Sequence, residues 1–240
     1  MHAQMHTVAP AQTDLPLVVF STLSAREALK ELIPRFEQEL RRPLAVTYAG
    51  GSVLSRQLVS GSQGDLFIGP GSFTRQLIDK GVLCATGEQL LARSATALAM
   101  VEGVPKPALR TAQDVVQLLL SARSVTYSPG ASGLHFVELL KRYGIADRIS
   151  GKTVMAQAGE LVGDIVARGA AEVGLQQISE LLPVGGIQVL PLPVEFQQTI
   201  DYGATPFTAA LRTEAAQLFV TYLRSEAAKG VWRRHGLEPL

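Results

Sequence analysis

Turns rich in serine, threonine and glycine follow several predicted strands, and their residues could bind an anion. These turns are STLS at 21–24, AGGS at 49–52 and SPGASG at 128–133. Each precedes a predicted helix, so unpaired N–H groups and the positive end of the helix dipole would face the ligand. The candidate ligand-binding residues in these turns are Thr22, Ser24, Gly51, Ser52, Ser128 and Ser132. A small anion held by such donors needs no metal and no cofactor.

A simpler interpretation of the same serines stays open. Ser24, Ser52 and Ser132 could each be a helix N-cap, since serine is among the preferred residues at that position. An N-cap contributes to stability and leaves ligand affinity unchanged. Because such turns recur after consecutive strands, we keep the anion-binding hypothesis alongside the N-cap interpretation.

Composition excludes several classes of protein. The chain has 240 residues, 47% of them hydrophobic and 18% charged, which predicts a packed globular core. A net charge of +1 gives no basic surface for nucleic acid. No apolar run is long enough for a transmembrane helix, so we expect no membrane insertion. One cysteine, Cys84, and the absence of a CxxC or His/Cys cluster predict no metal site.

Strands and helices alternate along the chain, which predicts an α/β fold with parallel sheets. We expect two Rossmann-like lobes with a central cleft and a hinge. Lobe I would comprise 15–92 plus 203–240, lobe II would comprise 93–202, and 1–14 would be a flexible tail. Ligands of open α/β sheets bind beyond the carboxyl ends of the strands. The serine-bearing turns and the GLQQ end at 174–177 should therefore face the cleft.

Three segments resemble a known family. They are VVFSTLSAREALKELIPRFE from Val18, YAGGSVLSRQLVSGSQGDLFI from Tyr48 and YLRSEAAKGVWRRHGLEP from Tyr222. Together they are similar to the periplasmic molybdate-binding proteins of the type 2 periplasmic-binding-protein superfamily, over about 15–239. The resemblance implies two hinged lobes around an anion held by serine hydroxyls, backbone N–H groups and one tyrosine. By motif position these contacts fall at Ser24, Gly51 beside Ser52, the turn near Ser132, Leu161 and Gln177.

Two of these positions depart from the family pattern. Gly51 stands where the resemblance implies a serine, and Gln177 stands at the position of the tyrosine. Each lost hydrogen bond to a buried anion costs about 1.5–3 kcal/mol. Gln176 and Gln177 offer amides that donate and accept, which suits a carboxylate; a packed strand end is the alternative interpretation. We therefore predict a small organic polycarboxylate as the ligand rather than molybdate.

An enzyme on the same fold is the second hypothesis. Aconitate isomerases form one branch that resembles this family, and their allylic proton transfer needs an anion clamp and one base. His135, one turn into the helix after SPGASG, and Glu160, in the AGELVG turn, are the candidate bases. Alternatively, His135 is a surface residue, and Glu160 is a carboxylate stabilised by the helix dipole.

The predictions about partners and location follow from these hypotheses. A solute-binding protein would bring its anion to an ABC transporter permease and would be periplasmic. The segment MHAQMHTVAPAQTD at 1–14 has no apolar signal core, as expected after removal of a signal peptide. A cytoplasmic ligand-sensing domain is the third hypothesis, and the same observation motivates it.

Overall fold

The computed structural model describes residues 15–157 and 159–240. The predicted tail at 1–14 lies outside the described residues. The strands are β1 (Leu17–Thr22), β2 (Leu44–Ala49), β3 (Leu66–Pro70), β4 (Gln89–Val101), β5 (Val125–Tyr127), β6 (Thr153–Met155), β7 (Val173–Gln177), β8 (Ile187–Pro191), β9 (Thr199–Pro206) and β10 (Glu238–Pro239). The helices are α1 (Arg26–Leu40), α2 (Gly51–Val59), α3 (Gly71–Asp79), α4 (Ala112–Ser121), α5 (Ala131–Arg142), α6 (Ala146–Ser150), α7 (Val162–Ala167), α8 (Ile178–Leu181), α9 (Thr213–Leu223) and α10 (Glu226–Arg234).

The strand order is β2-β1-β3-β9-β4-β7-β5-β6. On one side β1 runs parallel to β2 and β3, and β9 is antiparallel to β3. On the other side β5 runs parallel to β6 and β7. These two groups of strands are the two α/β units that the alternation predicted, and the predicted fold class is confirmed.

The long strand β4 belongs to both groups. Its first half, from Gln89 to Ala95, pairs with β9, and its second half, from Thr96 to Ala99, pairs with β7. The chain returns just before β9, where the Thr96 Oγ1 hydroxyl donates to Gln197 Oε1 at 2.9 Å. The chain thus passes between the groups at two adjacent places. The predicted lobe limits at 92–93 and 202–203 remain predictions.

Each group has its own apolar core. In the first, α1, α9 and α10 cover the sheet with Phe36, Phe219 and Trp232, all of them fully buried. The rings of Phe36 and Phe219 meet edge to face, with centroids 4.9 Å apart. In the second, Phe136 of α5 packs with Phe196 and their aliphatic neighbours. These cores fix the carboxyl ends of the parallel strands, where the candidate site lies.

Several elements differ from their predicted bounds. The apolar run at 96–101 lies inside β4, which begins seven residues earlier, at Gln89, because Gln89 to Ala95 pair with β9. The sequence predicts a short helix over 53–60, whereas α2 begins at Gly51; α6 and β10 were not predicted. A proline inside a helical pattern predicts a kink or a shifted start at Pro34; α1 is one helix from Arg26 to Leu40, with Pro34 inside it. Among the described residues, no helix is both long enough and apolar enough to cross a bilayer.

Candidate functional site

A small cavity of about 60 Å³ lies where the carboxyl ends of strands from both groups meet. The first group lines it with the turn Thr22–Ser24, with Gly50 and Gly51, and with Phe73 and Tyr202. A space of this size can hold a few water molecules or one small charged group. It is well below the roughly 300–1,000 Å³ of an ordinary ligand pocket.

The second group closes the cavity with the turn Ser128–Ser132 and with Gln177 and Glu180. Ser128 Oγ and Ser132 Oγ lie 3.3 Å apart, and the Gly130 N–H donates to Ser128 Oγ at 3.3 Å. Gly133 makes this turn possible, because a Cβ there would lie 1.7 Å from the Ser128 carbonyl oxygen. The predicted ligand-binding residues Thr22, Ser24, Gly51, Ser128, Ser132 and Gln177 therefore come together around one space.

The serines do not cap the helices that follow them. The N-cap positions of α1, α2 and α5 are Ala25, Gly50 and Gly130, and none of them makes a side-chain cap hydrogen bond. The alternative interpretation of Ser24, Ser52 and Ser132 as N-caps is therefore wrong. Thr22 Oγ1, in the cavity wall, is buried and has no hydrogen-bond partner among the described residues.

Ser24 is the centre of a hydrogen-bonded chain that joins the two groups. The Tyr202 hydroxyl donates to Ser24 Oγ at 2.9 Å, and the Ser24 hydroxyl donates to Glu180 Oε1 at 2.6 Å. Ser24 and Tyr202 are both buried. A bound anion would compete with the Glu180 carboxylate for the same hydroxyl donors.

The Glu180 carboxyl lies in the cavity wall. Burial raises its pKa, and the hydrogen bonds from Ser24 and Gln176 and the charge of Arg26 oppose that shift only in part. The same burial, with the nearby Glu180 charge, raises the pKa of Tyr202. Sequence reasoning missed Glu180. The sequence did contain a signal for it, because Glu180 lies in the first turn after β7, just as the serines lie in the first turns after their own strands.

The two glutamines are engaged with the protein itself. Gln176 Oε1 accepts the Val162 N–H at 2.8 Å, and its amide donates to Glu180. The Gln177 amide, with Nε2 facing β4, donates to the Ser94 and Ala95 carbonyl oxygens at 3.1 and 3.3 Å. These contacts fit the alternative interpretation, in which the two glutamines form a packed strand end, although Gln177 also lines the cavity.

Phe73 occupies the space that a side chain at position 51 would need. A Cβ at Gly51 would lie 2.3 Å from the Phe73 ring. Glycine at position 51 and phenylalanine at position 73 therefore depend on each other, because a larger side chain at 51 would overlap the Phe73 ring. The cavity has an apolar wall where the resemblance implies a serine hydroxyl. Phe73, on α3, was not predicted, because only the fold brings it to Gly51.

Five candidate residues lie outside the cavity lining: Ser52, Gln176, Leu161, Glu160 and His135. Ser52 follows Gly51 on α2, and Leu161, at the N-cap of α7, lines a separate groove with Arg26 and Arg168. Glu160 is tied to the Gln157 N–H at 2.9 Å and to Arg168 at 2.6 Å, and these contacts hold the pKa of its carboxyl below the ordinary value. A half-buried, ion-paired carboxylate that does not line the cavity is poorly placed to serve as the base.

His135 lines a larger groove of about 580 Å³ next to the cavity. Its Nε2 is buried and has no hydrogen-bond partner among the described residues. Burial lowers the pKa of this imidazole. Within 15–157 and 159–240, no three His, Cys, Asp or Glu side chains are grouped so as to hold a metal ion.

Comparison with known proteins identifies the family. A family model described as bacterial extracellular solute-binding protein matches residues 17–238. The chain belongs to this family. This solute-binding protein is 30% identical over 237 residues to an aconitate isomerase from a Pseudomonas species, across 96% of this chain and 90% of that protein. It is 24% identical over 226 residues to the molybdate-binding protein ModA of Escherichia coli K12, across 92% and 88% of the two chains.

The fold comparison agrees with the family. The periplasmic molybdate-binding protein of Azotobacter vinelandii matches with a TM-score of 0.75 at 18% identity, covering 92% of this chain and 98% of that one. The resemblance to molybdate-binding proteins and the type 2 periplasmic-binding-protein fold are therefore confirmed.

Proposed function

We propose that this solute-binding protein binds a small organic polycarboxylate between its two groups of strands. The observation that carries the proposal is the Phe73 ring lying against Gly51 in the cavity wall. A tetrahedral oxyanion stripped of water needs donors on all sides, because each missing hydrogen bond is costly. A carboxylate needs donors at one end only, and the carbon skeleton behind it favours an apolar wall.

The donors on the remaining walls suit one carboxylate group. Thr22 Oγ1 has no hydrogen-bond partner among the described residues, and Ser24, Ser128 and Ser132 line the same space. Entry of a carboxylate would break the bond between Ser24 and Glu180 and transfer that donor to the ligand. The family also supports an extracellular or periplasmic location and delivery of the anion to an ABC transporter permease.

A thermal-shift and calorimetric panel tests the proposal. It includes molybdate, tungstate, sulfate, phosphate, malonate, citrate and cis- and trans-aconitate. A ligand at 1,000 times its Kd adds about 4 kcal/mol of stability, so binding is visible as a rise in Tm. We expect polycarboxylates to raise Tm and molybdate to leave it unchanged. A larger rise with molybdate or tungstate would contradict the proposal.

Ser24→Ala and Ser52→Ala form a matched pair for this panel. Ser24 lies in the cavity, whereas Ser52, on a neighbouring turn, does not line it. We expect Ser24→Ala to weaken polycarboxylate binding by about 1–3 kcal/mol and Ser52→Ala to leave it unchanged. Equal effects of the two substitutions would place the ligand elsewhere.

Cofactor-free isomerisation of an unsaturated polycarboxylate is the second candidate function. Glu180 favours it, since a desolvated carboxyl with a raised pKa beside hydroxyl donors is suited to proton transfer. The Glu180 carboxylate would take a proton from the carbon next to a substrate carboxylate, and the electron pair would spread over the allylic system. The resulting carboxylic acid would return the proton to the far allylic carbon, so the double bond moves and no atom is lost. The aconitate isomerase relative supports the same chemistry.

Proton NMR of trans-aconitate in deuterated buffer tests this candidate. Isomerisation, or exchange of the allylic proton for deuterium, is expected with the parent protein. Glu180→Gln should abolish both, while retaining ligand binding in the thermal-shift panel. Binding of trans-aconitate without isomerisation or exchange would exclude the enzyme and leave the binding protein.

A further inference from the structure

We propose that the groove beside Phe73 is a second subsite, which binds the remote carboxylate arm of an elongated organic acid. The inference rests on the proposed function, because it assumes that one carboxylate occupies the small cavity. The groove has a volume of about 580 Å³, and its walls include His135, Lys141 and Gln198.

The groove and the cavity adjoin. Phe73 and Ala131 line both of them, so the aromatic ring stands between the two spaces. The cavity alone, at about 60 Å³, holds one small charged group. An acid of about six carbons therefore has to extend past Phe73, and the apolar faces of Phe73 and Ala131 suit its carbon chain.

Two residues of the groove wall carry buried polar atoms that lack hydrogen-bond partners among the described residues. His135 Nε2 and Gln198 Oε1 are both buried, and neither has a hydrogen-bond partner among the described residues. A buried polar atom without a partner costs about 1–3 kcal/mol, so such atoms are uncommon in stable folds. The imidazole can donate from Nε2, and rotation of the Gln198 amide presents a donor in the same groove.

One ammonium and one carboxylate, those of Lys141 and Glu138, lie on the groove wall and pair with each other at 2.8 Å. Both side chains are more than half exposed, so this ion pair is weak and a ligand carboxylate can compete with Glu138 for the ammonium. The imidazole, the amide and the ammonium can each donate a hydrogen bond to such a carboxylate.

Calorimetry with a short and a long acid tests the subsite. Malonate is the compact probe, which reaches only the cavity, and trans-aconitate is the elongated probe. We expect His135→Gln, Gln198→Ala and Lys141→Ala each to weaken trans-aconitate binding by about tenfold. The same substitutions should change malonate binding by less than about twofold.

Lys229→Ala is the matched control. Lys229 pairs with Glu226 three residues before it, as Lys141 does with Glu138, but it lies on α10, away from the groove. We expect this control to bind both acids as the parent does. Equal weakening of malonate and trans-aconitate by the groove substitutions, or no effect on either, would overturn the subsite and leave the proposed function standing. Binding of neither acid by the parent protein would overturn both.

Discussion

At the scale of single residues, Glu180 distinguishes this cavity from a simple anion site. A carboxylate facing hydroxyl donors repels a bound anion unless it is protonated or displaced. Its raised pKa lowers that cost, because the neutral acid is the form that burial favours. The bond from Ser24 Oγ keeps the group in the cavity wall. Glu180 can therefore act both as a competitor for the anion and as a proton donor to it.

Glu180→Gln should alter how stability depends on pH. Because the folded state raises the pKa of Glu180, its favourable contribution is complete below the unfolded pKa and is lost as pH rises through the folded pKa. The substituted protein has no such titration. We expect the free energy of unfolding of the variant, relative to the parent, to increase from pH 4.5 to pH 8 in urea titrations.

Glu172→Gln provides a control of opposite sign. The hydrogen bond from the Arg123 backbone N–H is the main contact that lowers the pKa of Glu172. Its contribution is therefore present above the unfolded pKa and lost as pH falls. The difference from the parent should stay nearly constant from pH 8 to the unfolded pKa of 4.5 and shrink as the pH falls below that value through the folded pKa. A constant difference for Glu180→Gln across the same range would show that its carboxyl keeps an ordinary pKa.

At the scale of elements, close contact between a helix start and a strand end shapes the second wall of the cavity. Gly133, in the first turn of α5, lies against the Ser128 carbonyl oxygen, where β5 ends and the turn begins. This contact sets the position of Ser128 relative to Ser132. Their donors face the cavity only while α5 stays this close to β5.

Gly133→Ala should disrupt this wall. The added Cβ would lie 1.7 Å from a backbone oxygen, so the backbone has to move. Overpacking of this kind costs about 1–3 kcal/mol of stability, and we expect weaker polycarboxylate binding as well. Gly71→Ala, at the start of α3 with open space around its added Cβ, should be neutral or slightly stabilising. Thermal unfolding and calorimetry of both variants check the expectation, which fails if they behave alike.

The sequence predicts the strands and turns that form this site better than it predicts which side chains line the cavity. Apolar runs bounded by glycine and serine turns are strong local signals, so the strand ends carrying Ser24, Ser128 and Ser132 could be placed on one edge. The first half of β4 was not predicted, because it is held by pairing with β9, a contact that is distant in sequence. Phe73 and Tyr202 were missed for the same reason, since only packing brings them to Ser24 and Gly51.

At the scale of the whole molecule, two adjacent chain crossings connect the two groups of strands. The chain crosses within β4 and again before β9, and Thr96 ties the crossings through Gln197 Oε1 and the Gln198 carbonyl. Across the cleft, the Ser24–Glu180 bond joins the groups on the cavity side. Hinge closure around a ligand is the motion that such a plan favours.

Ser24→Ala should favour an open form of the ligand-free protein, because it removes the bond that closes the cavity. A compact chain of 240 residues has a radius of gyration of about 18 Å, and separation of two lobes increases it. We expect small-angle scattering to give a larger radius for the ligand-free variant than for the ligand-free parent. Ser52→Ala should match the parent, since Ser52 is not among the described residues that line the cavity. A saturating polycarboxylate should return the variant to the parent's radius, because the ligand's own contacts to both groups replace the lost bond. An unchanged radius in Ser24→Ala would contradict the expectation that this hydrogen bond holds the two groups together.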